Sequence, residues 1–139
     1  MQVVTIPLSG YFTSGYQGMG PFTGSPQTYD VPDGRNLTIE SMSAMAGVPT
    51  GQSVNLWLDV APSKGGKIVA HYSIPLQFQA TYSTNPTNPS TPVCDWRSMN
   101  HALRAYVPGG MRIYFEGTRG LKVGDNGTAG VVITGYLEP

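Results

Sequence analysis

Strict alternation of apolar and polar side chains marks the stretch SVNLWLDV, residues 53–60. The even-numbered positions are aliphatic: Val54, Leu56, Leu58 and Val60. The positions between them carry polar or amphipathic groups: Asn55, Trp57 and Asp59. Because side chains point alternately to the two faces of a β-strand, this pattern predicts a strand with one buried face. Such a face needs a second layer to cover it, which favours sheet packed on sheet.

The same period of two recurs on both sides of this stretch. Before it, Val31-Pro32-Asp33-Gly34 predicts a turn, and residues 36–40 alternate after that turn. Three further alternations follow later in the chain: His101–Val107, Met111–Glu116 and Gly130–Leu137. Eight or nine short strands separated by turns predict an all-β fold, an antiparallel β-sandwich of the jelly-roll type.

Residues 67–82 alternate over a longer span, with apolar side chains on the even positions. This parity predicts that Ile68, Phe78 and Tyr82 face the core along with the other even residues. Proline donates no hydrogen bond to a β-ladder, so Pro75 predicts two strand segments in place of one. The prolines of residues 85–92 predict a stiff, exposed loop between strands.

The beginning of the chain differs in composition from the rest. No charged side chain precedes Asp30, and residues 9–29 are rich in glycine, serine and aromatic residues. We expect residues 9–29 to form a long surface loop or arm with aromatic anchors. We therefore divide a single globular domain into an N-terminal strand and arm, residues 1–29, and a β-sandwich, residues 30–139.

Composition excludes several classes of function. The chain has 8 basic and 8 acidic side chains, 12% of its residues, whereas soluble domains average about 25% charged residues. The net charge of zero argues against a nucleic-acid partner, because that role needs clustered Lys and Arg. No apolar run approaches the length of a membrane span, so we expect no membrane insertion. The N-terminus lacks the pattern of a signal peptide, which predicts synthesis in the cytoplasm.

No arrangement of residues indicates an enzyme. Cys94 and His101 lie too far apart along a strand to act together as nucleophile and base. The outward carboxylates Glu40, Asp59 and Glu116 could serve glycoside hydrolysis only if two of them met, and the sequence places no two together. The two histidines and the one cysteine have no metal-ligand spacing. We predict no catalytic residue, no metal and no cofactor.

The parity opposite the core predicts a functional surface. A solvated sheet face usually carries Lys, Glu and Thr, whereas Trp, Tyr and Arg are enriched at interfaces. The predicted interface or ligand platform comprises Asn55, Trp57, Asp59, Tyr106, Arg112, Tyr114 and Tyr136. The alternative is that Trp57 and the tyrosines pack beneath a covering loop. A second candidate, for a sugar ligand, comprises Asp95, Trp96 and Arg97.

Three runs carry a resemblance to a known group: VPDGRNLTIE (31–40), MRIYF (111–115) and ITGYL (133–137). They resemble small bacterial and bacteriophage jelly-roll proteins, a group that includes capsid decoration and fibre-associated domains. The similarity consists of turns and strand ends across residues 30–137. It implies the jelly-roll fold, and no ligand residue is carried over from it.

We therefore predict a non-enzymatic structural protein. In this hypothesis a jelly-roll subunit self-associates, with a trimer favoured, and docks on a larger protein assembly such as a phage capsid or fibre. The virion would then be its final location. The alternative is a lectin-like carbohydrate-binding module whose partners are glycans.

Overall fold

The computed structural model describes residues 1–24, 26–120 and 125–139, which form ten β-strands in two antiparallel sheets. The strands are β1 Gln2–Phe12, β2 Gly20–Pro21, β3 Thr28–Asp30, β4 Asn36–Pro49, β5 Val54–Pro62, β6 Ala70–Ile74, β7 Gln77–Tyr82, β8 Cys94–Pro108, β9 Met111–Arg119 and β10 Gly127–Glu138. The predicted all-β antiparallel sandwich is confirmed. The count of eight or nine short strands is corrected to ten, because the segment predicted as an arm contributes β2 and β3. The strands are also longer than expected, and β8 spans 15 residues.

The order of the strands defines a jelly roll. The large sheet has the order β2-β1-β10-β4-β8-β7, and the small sheet has the order β3-β9-β5-β6. From β3 to β5 and again from β8 to β10 the chain passes from one sheet to the other at each strand. Consecutive strands therefore cover each other across the core, which is the jelly-roll arrangement.

The core lies between the two sheets and is built from the predicted apolar parities. Leu58 on β5 and Phe115 on β9 are buried beneath Leu8 and Phe12 of β1 and Ile133 of β10. Burial of one such side chain contributes about 1.5–3 kcal/mol. These inward faces are continuous across both sheets, so the sandwich has a single hydrophobic core.

The N-terminal strand is an interior strand of the large sheet. β1 pairs with β10 along its whole length, from Gln2 opposite Leu137 to Phe12 opposite Gly127. Ile6 and Leu8 of this strand are buried. Residues of both ranges, 1–29 and 30–139, thus contribute to one hydrophobic core.

Pro75 separates two strands that belong to different sheets. β6 is an edge strand of the small sheet, and β7 is an edge strand of the large sheet. The two segments expected around Pro75 are confirmed, but the inward placement of three even residues is wrong. Ile68, Phe78 and Tyr82 are 59%, 58% and 47% exposed. The parity fails for Ile68 because this residue precedes β6. It fails in β7 because the register shifts after Phe78, and because Tyr82 pairs with Cys94 on the outer face of the large sheet.

The connection between β7 and β8 contains the proline-rich loop. Residues 84–90 are exposed, as the sequence predicts. Within the part of the chain that the structure describes, no helix has the length and apolar character needed to cross a membrane.

Candidate functional site

The structure divides the predicted platform between opposite faces of the molecule. The outer face of the small sheet carries Asn55, Trp57, Asp59, Arg112 and Tyr114. The outer face of the large sheet carries Tyr106 and Tyr136, on either side of Thr38. The division arises because β5 and β9 belong to one sheet, whereas β8 and β10 belong to the other.

A hydrogen-bonded group that we call the Trp57 cluster occupies the small-sheet face: Trp57, Asp59, His71 and Glu116. Trp57 Nε1 donates to Asp59 Oδ2 at 3.1 Å and to Glu116 Oε2 at 3.2 Å. His71 Nδ1 lies 2.6 Å from Asp59 Oδ1. Strand register brings these groups together, because Glu116 is opposite Trp57 and His71 is opposite Asp59.

The Trp57 cluster satisfies its own polar groups. Asp59 is 5% exposed, and both of its carboxylate oxygens have a partner within the cluster. The side chain of His71 is 54% exposed and forms the open edge. Beside the cluster, Trp57, Tyr114 and Glu116 border a cavity of about 390 Å³ with Gly18 and Met19. The segment of residues 17–19 pairs with the end of β9. It therefore borders the platform on one side and leaves the other side open.

A bidentate ion pair ties the edge of the small sheet together. Arg112 donates to both carboxylate oxygens of Asp30, at 2.6 and 2.9 Å. This hydrogen bonding holds the pKa of the Asp30 carboxyl below its usual value. The Arg112 guanidinium also lies 5.9 Å from the centre of the Tyr114 ring. The ion pair joins β3 to β9.

The outer face of the large sheet has a different character, and we call its central part the uncharged face. It comprises Thr5, Pro7 and Ser9 of β1, Val132, Gly130 and Thr134 of β10, Ser41, Ser43 and Met45 of β4, and Ser98, Asn100 and Ala102 of β8. None of these residues carries a charge. Met45 and Val132 remain 49% and 39% exposed within it. At one end of this face, Arg104 donates a hydrogen bond to Tyr136, which raises the pKa of the guanidinium.

At its other end the large sheet forms an aromatic cleft. One row across the sheet runs from Tyr11 through Thr128 and Gly47 to Trp96. Tyr11 packs against Phe22 with ring centres 5.4 Å apart, and Tyr82 stacks against Trp96 at the same distance. The cleft between these two aromatic pairs has a volume of about 450 Å³. Its lining consists of Tyr11, Phe22, Thr23, Gly47, Thr84, Thr91, Pro92, Cys94, Trp96, Asn126, Gly127 and Thr128.

Gly47 makes the Trp96 wall possible. The Trp96 ring leans over Gly47, where an added Cβ would come within 2.6 Å of the ring. The indole Nε1 donates to the Tyr82 carbonyl oxygen at 3.2 Å, which orients the ring. Trp96 is therefore held in place from two sides.

Of the three residues predicted for a sugar, only Trp96 lines the cleft. Asp95 and Arg97 alternate with it along β8 and point to the opposite face. Asp95 accepts hydrogen bonds from the Gly51 amide at 3.0 Å and the Thr81 hydroxyl at 2.7 Å. These donors lower the pKa of the Asp95 carboxyl. Asp95 thus anchors the turn before β5 to β7 and β8.

The cleft contains residues that the sequence analysis did not select. Tyr11 could have been found from the alternation of β1, since it falls on the parity opposite Leu8 and Phe12. No periodic signal marks Phe22, because β2 has only two residues. Asn126 and Thr128 reach the cleft through the pairing of β10 with β1 and β4.

The candidate nucleophile and metal ligands are dispersed. Cys94 and His101 lie on the same strand, about 24 Å apart by the rise of an extended chain. Cys94 is buried, and burial raises the pKa of its thiol. Among the described residues, no group of three or more His, Cys, Asp and Glu side chains is placed to hold a metal ion.

Comparisons with known proteins give a distant similarity in fold. No protein-family model matches the chain, and no curated protein matches its sequence. The solved structures similar to it include the structure of Eiger TNF from S. frugiperda, at 12% sequence identity and a TM-score of 0.31. That match covers 94% of this chain and 93% of the other. The jelly-roll assignment rests on the strand order given above, and the similarity adds no functional information.

Proposed function

We propose that this chain is a non-enzymatic structural subunit that self-associates through the uncharged face and docks on a larger assembly. The observation that carries the proposal is the composition of that face. A phage capsid or fibre is the assembly that we propose, with the virion as the final location and the cytoplasm as the site of synthesis.

The uncharged face is suited to burial. Desolvating a charged group costs several kcal/mol unless a partner compensates it. The uncharged face presents only small hydroxyls, amide, glycine and aliphatic groups, so a second copy can cover it without that cost. Hydroxyl groups can also exchange hydrogen bonds with water for bonds across an interface.

The size of the face makes it the centre of an interface. Its three outward residues on each strand span five positions, so four strands spaced about 4.8 Å apart present roughly 320 Å² of projected area. A standard interface buries about 800 Å² on each partner. Self-association therefore requires the whole uncharged face and further contacts from residues around it. In a closed symmetric oligomer, every subunit buries this face against a neighbour. We propose a trimer.

Self-association through the large sheet leaves the small-sheet face turned outward. We assign the docking on the larger assembly to the platform residues that lie there, Asn55, Trp57, Arg112 and Tyr114. The buried Asp59 of the same platform holds the Trp57 ring through its hydrogen bond. The rings of Trp57 and Tyr114 provide apolar contact area of the kind that dominates interface energetics. A carbohydrate-binding module remains the alternative, although Asp95, Trp96 and Arg97 are divided between two faces of β8.

Sedimentation velocity tests the proposal. Val132→Glu places a charge at the centre of the uncharged face, beside Pro7 and Ser43. We expect the wild type to sediment as an oligomer and Val132→Glu as a monomer. The control is Ile68→Glu, which adds the same charge at an exposed aliphatic residue outside the face and should stay oligomeric. A monomeric wild type at tens of micromolar, or an oligomeric Val132→Glu, would contradict the proposal.

A further inference from the structure

We propose that the aromatic cleft at the end of the large sheet is a binding site for an uncharged sugar. The observations behind this inference are separate from those behind self-association, although the cleft row lies next to the uncharged face on the same side of the large sheet. It rests on three properties of the cleft: two aromatic walls, a lining of hydroxyl and amide groups, and the lack of charge among the lining residues that the structure describes.

The walls of the cleft are aromatic and stand on fixed supports. Tyr11 and Phe22 form one wall, and the 38% exposed Phe22 offers ring surface for stacking. The opposite wall is Trp96, which is 8% exposed and closes the cleft, stacked on the Tyr82 ring. The Trp96 ring is oriented by the hydrogen bond from its Nε1 and by the space that Gly47 leaves. Rings held in this way bind a flat apolar surface at little entropic cost, and the C–H face of a sugar ring is such a surface.

The polar lining matches sugar hydroxyl groups. The hydroxyls of Thr23, Thr84, Thr91 and Thr128 can each donate and accept a hydrogen bond, as a sugar hydroxyl can. The Asn126 Oδ1 accepts a hydrogen bond from the Ser14 amide at 2.8 Å, which fixes the orientation of this side chain. Its amide nitrogen then supplies donors to a ligand. The volume of about 450 Å³ lies within the range of small-ligand sites, about 300–1,000 Å³.

The lining disfavours other classes of ligand. Among the described residues that line it, none is Lys, Arg, Asp or Glu, so a sialylated or sulfated glycan would find no counter-charge from them. A proline-rich peptide also docks on aromatic grooves, but its carbonyl groups only accept hydrogen bonds, whereas the hydroxyl and amide groups of the lining both donate and accept, as sugar hydroxyls do. The Trp96 Nε1 is already engaged with the Tyr82 carbonyl. The observations therefore favour a neutral saccharide over a peptide.

Saturation-transfer NMR and isothermal titration calorimetry test this site on the full chain. The probes are a panel of neutral mono-, di- and trisaccharides made of hexose, deoxyhexose and N-acetylhexosamine units. We expect saturable binding to at least one neutral probe. Sialyllactose, heparin fragments and a decaproline peptide serve as the competing ligand classes.

Variants locate the binding in the cleft. Phe22→Ala removes part of one wall at a residue that is 38% exposed, and Thr128→Val removes a hydroxyl while keeping the volume of the side chain. We expect each to weaken binding of the neutral probe at least tenfold. The matched control, Phe78→Ala, removes an exposed ring of β7 that does not line the cleft, and it should bind as the wild type does.

Three outcomes would overturn the proposal. They are the lack of saturable binding to any neutral probe at 10 mM, binding of decaproline or an anionic glycan in place of neutral sugars, and equal binding by Phe22→Ala and the wild type. Melting curves of all variants verify that they are folded. Val132→Glu should retain sugar binding whatever its oligomeric state, so failure of this site and failure of self-association are distinguished.

Discussion

Gly47 on β4 lies directly opposite Trp96 on β8, and the indole ring occupies the space that any side chain at Gly47 would need. The ring cannot retreat easily, because it stacks on Tyr82 and donates to a carbonyl oxygen there. This contact links the stability of the sheet to the shape of the aromatic cleft.

Substitution Gly47→Ala should therefore destabilise the protein and close part of the cleft. Overpacking of this kind lowers the free energy of unfolding by about 1–3 kcal/mol. Urea unfolding followed by circular dichroism measures the change. The control is Gly130→Ala on β10, where an added Cβ would be 3.7 Å from its nearest neighbour, an ordinary contact. A Gly47→Ala protein as stable as Gly130→Ala would contradict this interpretation.

Substitution of two arginines of β9, Arg119 and Arg112, should lower the stability of the protein by very different amounts. Arg119 is 2% exposed and donates to the carbonyl oxygens of Thr13, Tyr16 and Asp125. Arg119→Met would leave these carbonyls without that donor. We therefore expect the free energy of unfolding to fall by about 3 kcal/mol or more.

The matched substitution is Arg112→Met, which breaks the pair with Asp30 on the solvent-exposed edge of the same strand. Exposed ion pairs contribute little, so the loss should be much smaller. Chemical denaturation of both variants at pH 7 provides the comparison. Equal losses would show that the buried carbonyl contacts of Arg119 do not stabilise the fold.

Acidification should weaken the anchor formed by Asp95. The pKa of this carboxyl is lowered in the folded protein, so its contribution to stability is present above the pKa of the unfolded chain, about 4. It is lost as the pH falls through the lower, folded value. We therefore expect the stability difference between the wild type and Asp95→Asn to shrink below pH 4. Thermal unfolding between pH 2 and pH 7 tests this, and a constant difference would count against it.

Self-association through the uncharged face should tolerate salt. Screening weakens interfaces that depend on charge pairs, whereas the uncharged face has none to screen. We expect the oligomer to persist from 50 mM to 1 M NaCl in sedimentation velocity experiments. Dissociation at high salt would indicate an interface on the charged small-sheet face instead.

The alternation of side chains predicted which residues of a strand are buried. Leu56, Leu58, Ile113 and Phe115 lie in the core as their parity requires. The period of two follows from strand geometry alone, so it is visible in a single sequence. The same period says nothing about which sheet a strand joins, so it does not separate Tyr106 and Tyr136 from Tyr114, which lies on the opposite side of the molecule.

The composition of the cleft depends on contacts between distant parts of the chain. The sequence indicates Trp96 as a candidate, but its sequence neighbours Asp95 and Arg97 do not line the cleft with it. Tyr11 and Thr128 do line the cleft with Trp96, because the register of β1, β10, β4 and β8 places them in the same row of the sheet. Register is decided by the whole core, and a local pattern does not contain it.

The pairing of β1 with β10 has a practical consequence for attaching labels. Residues 2 and 137 pair with each other at one end of the sandwich. The aromatic cleft starts at Tyr11, about 30 Å further along β1. A tether, dye or surface linker joined near either of these two residues would leave from the same side of the molecule. Immobilised in this way, the protein would present its cleft to the solution, pointing away from the support.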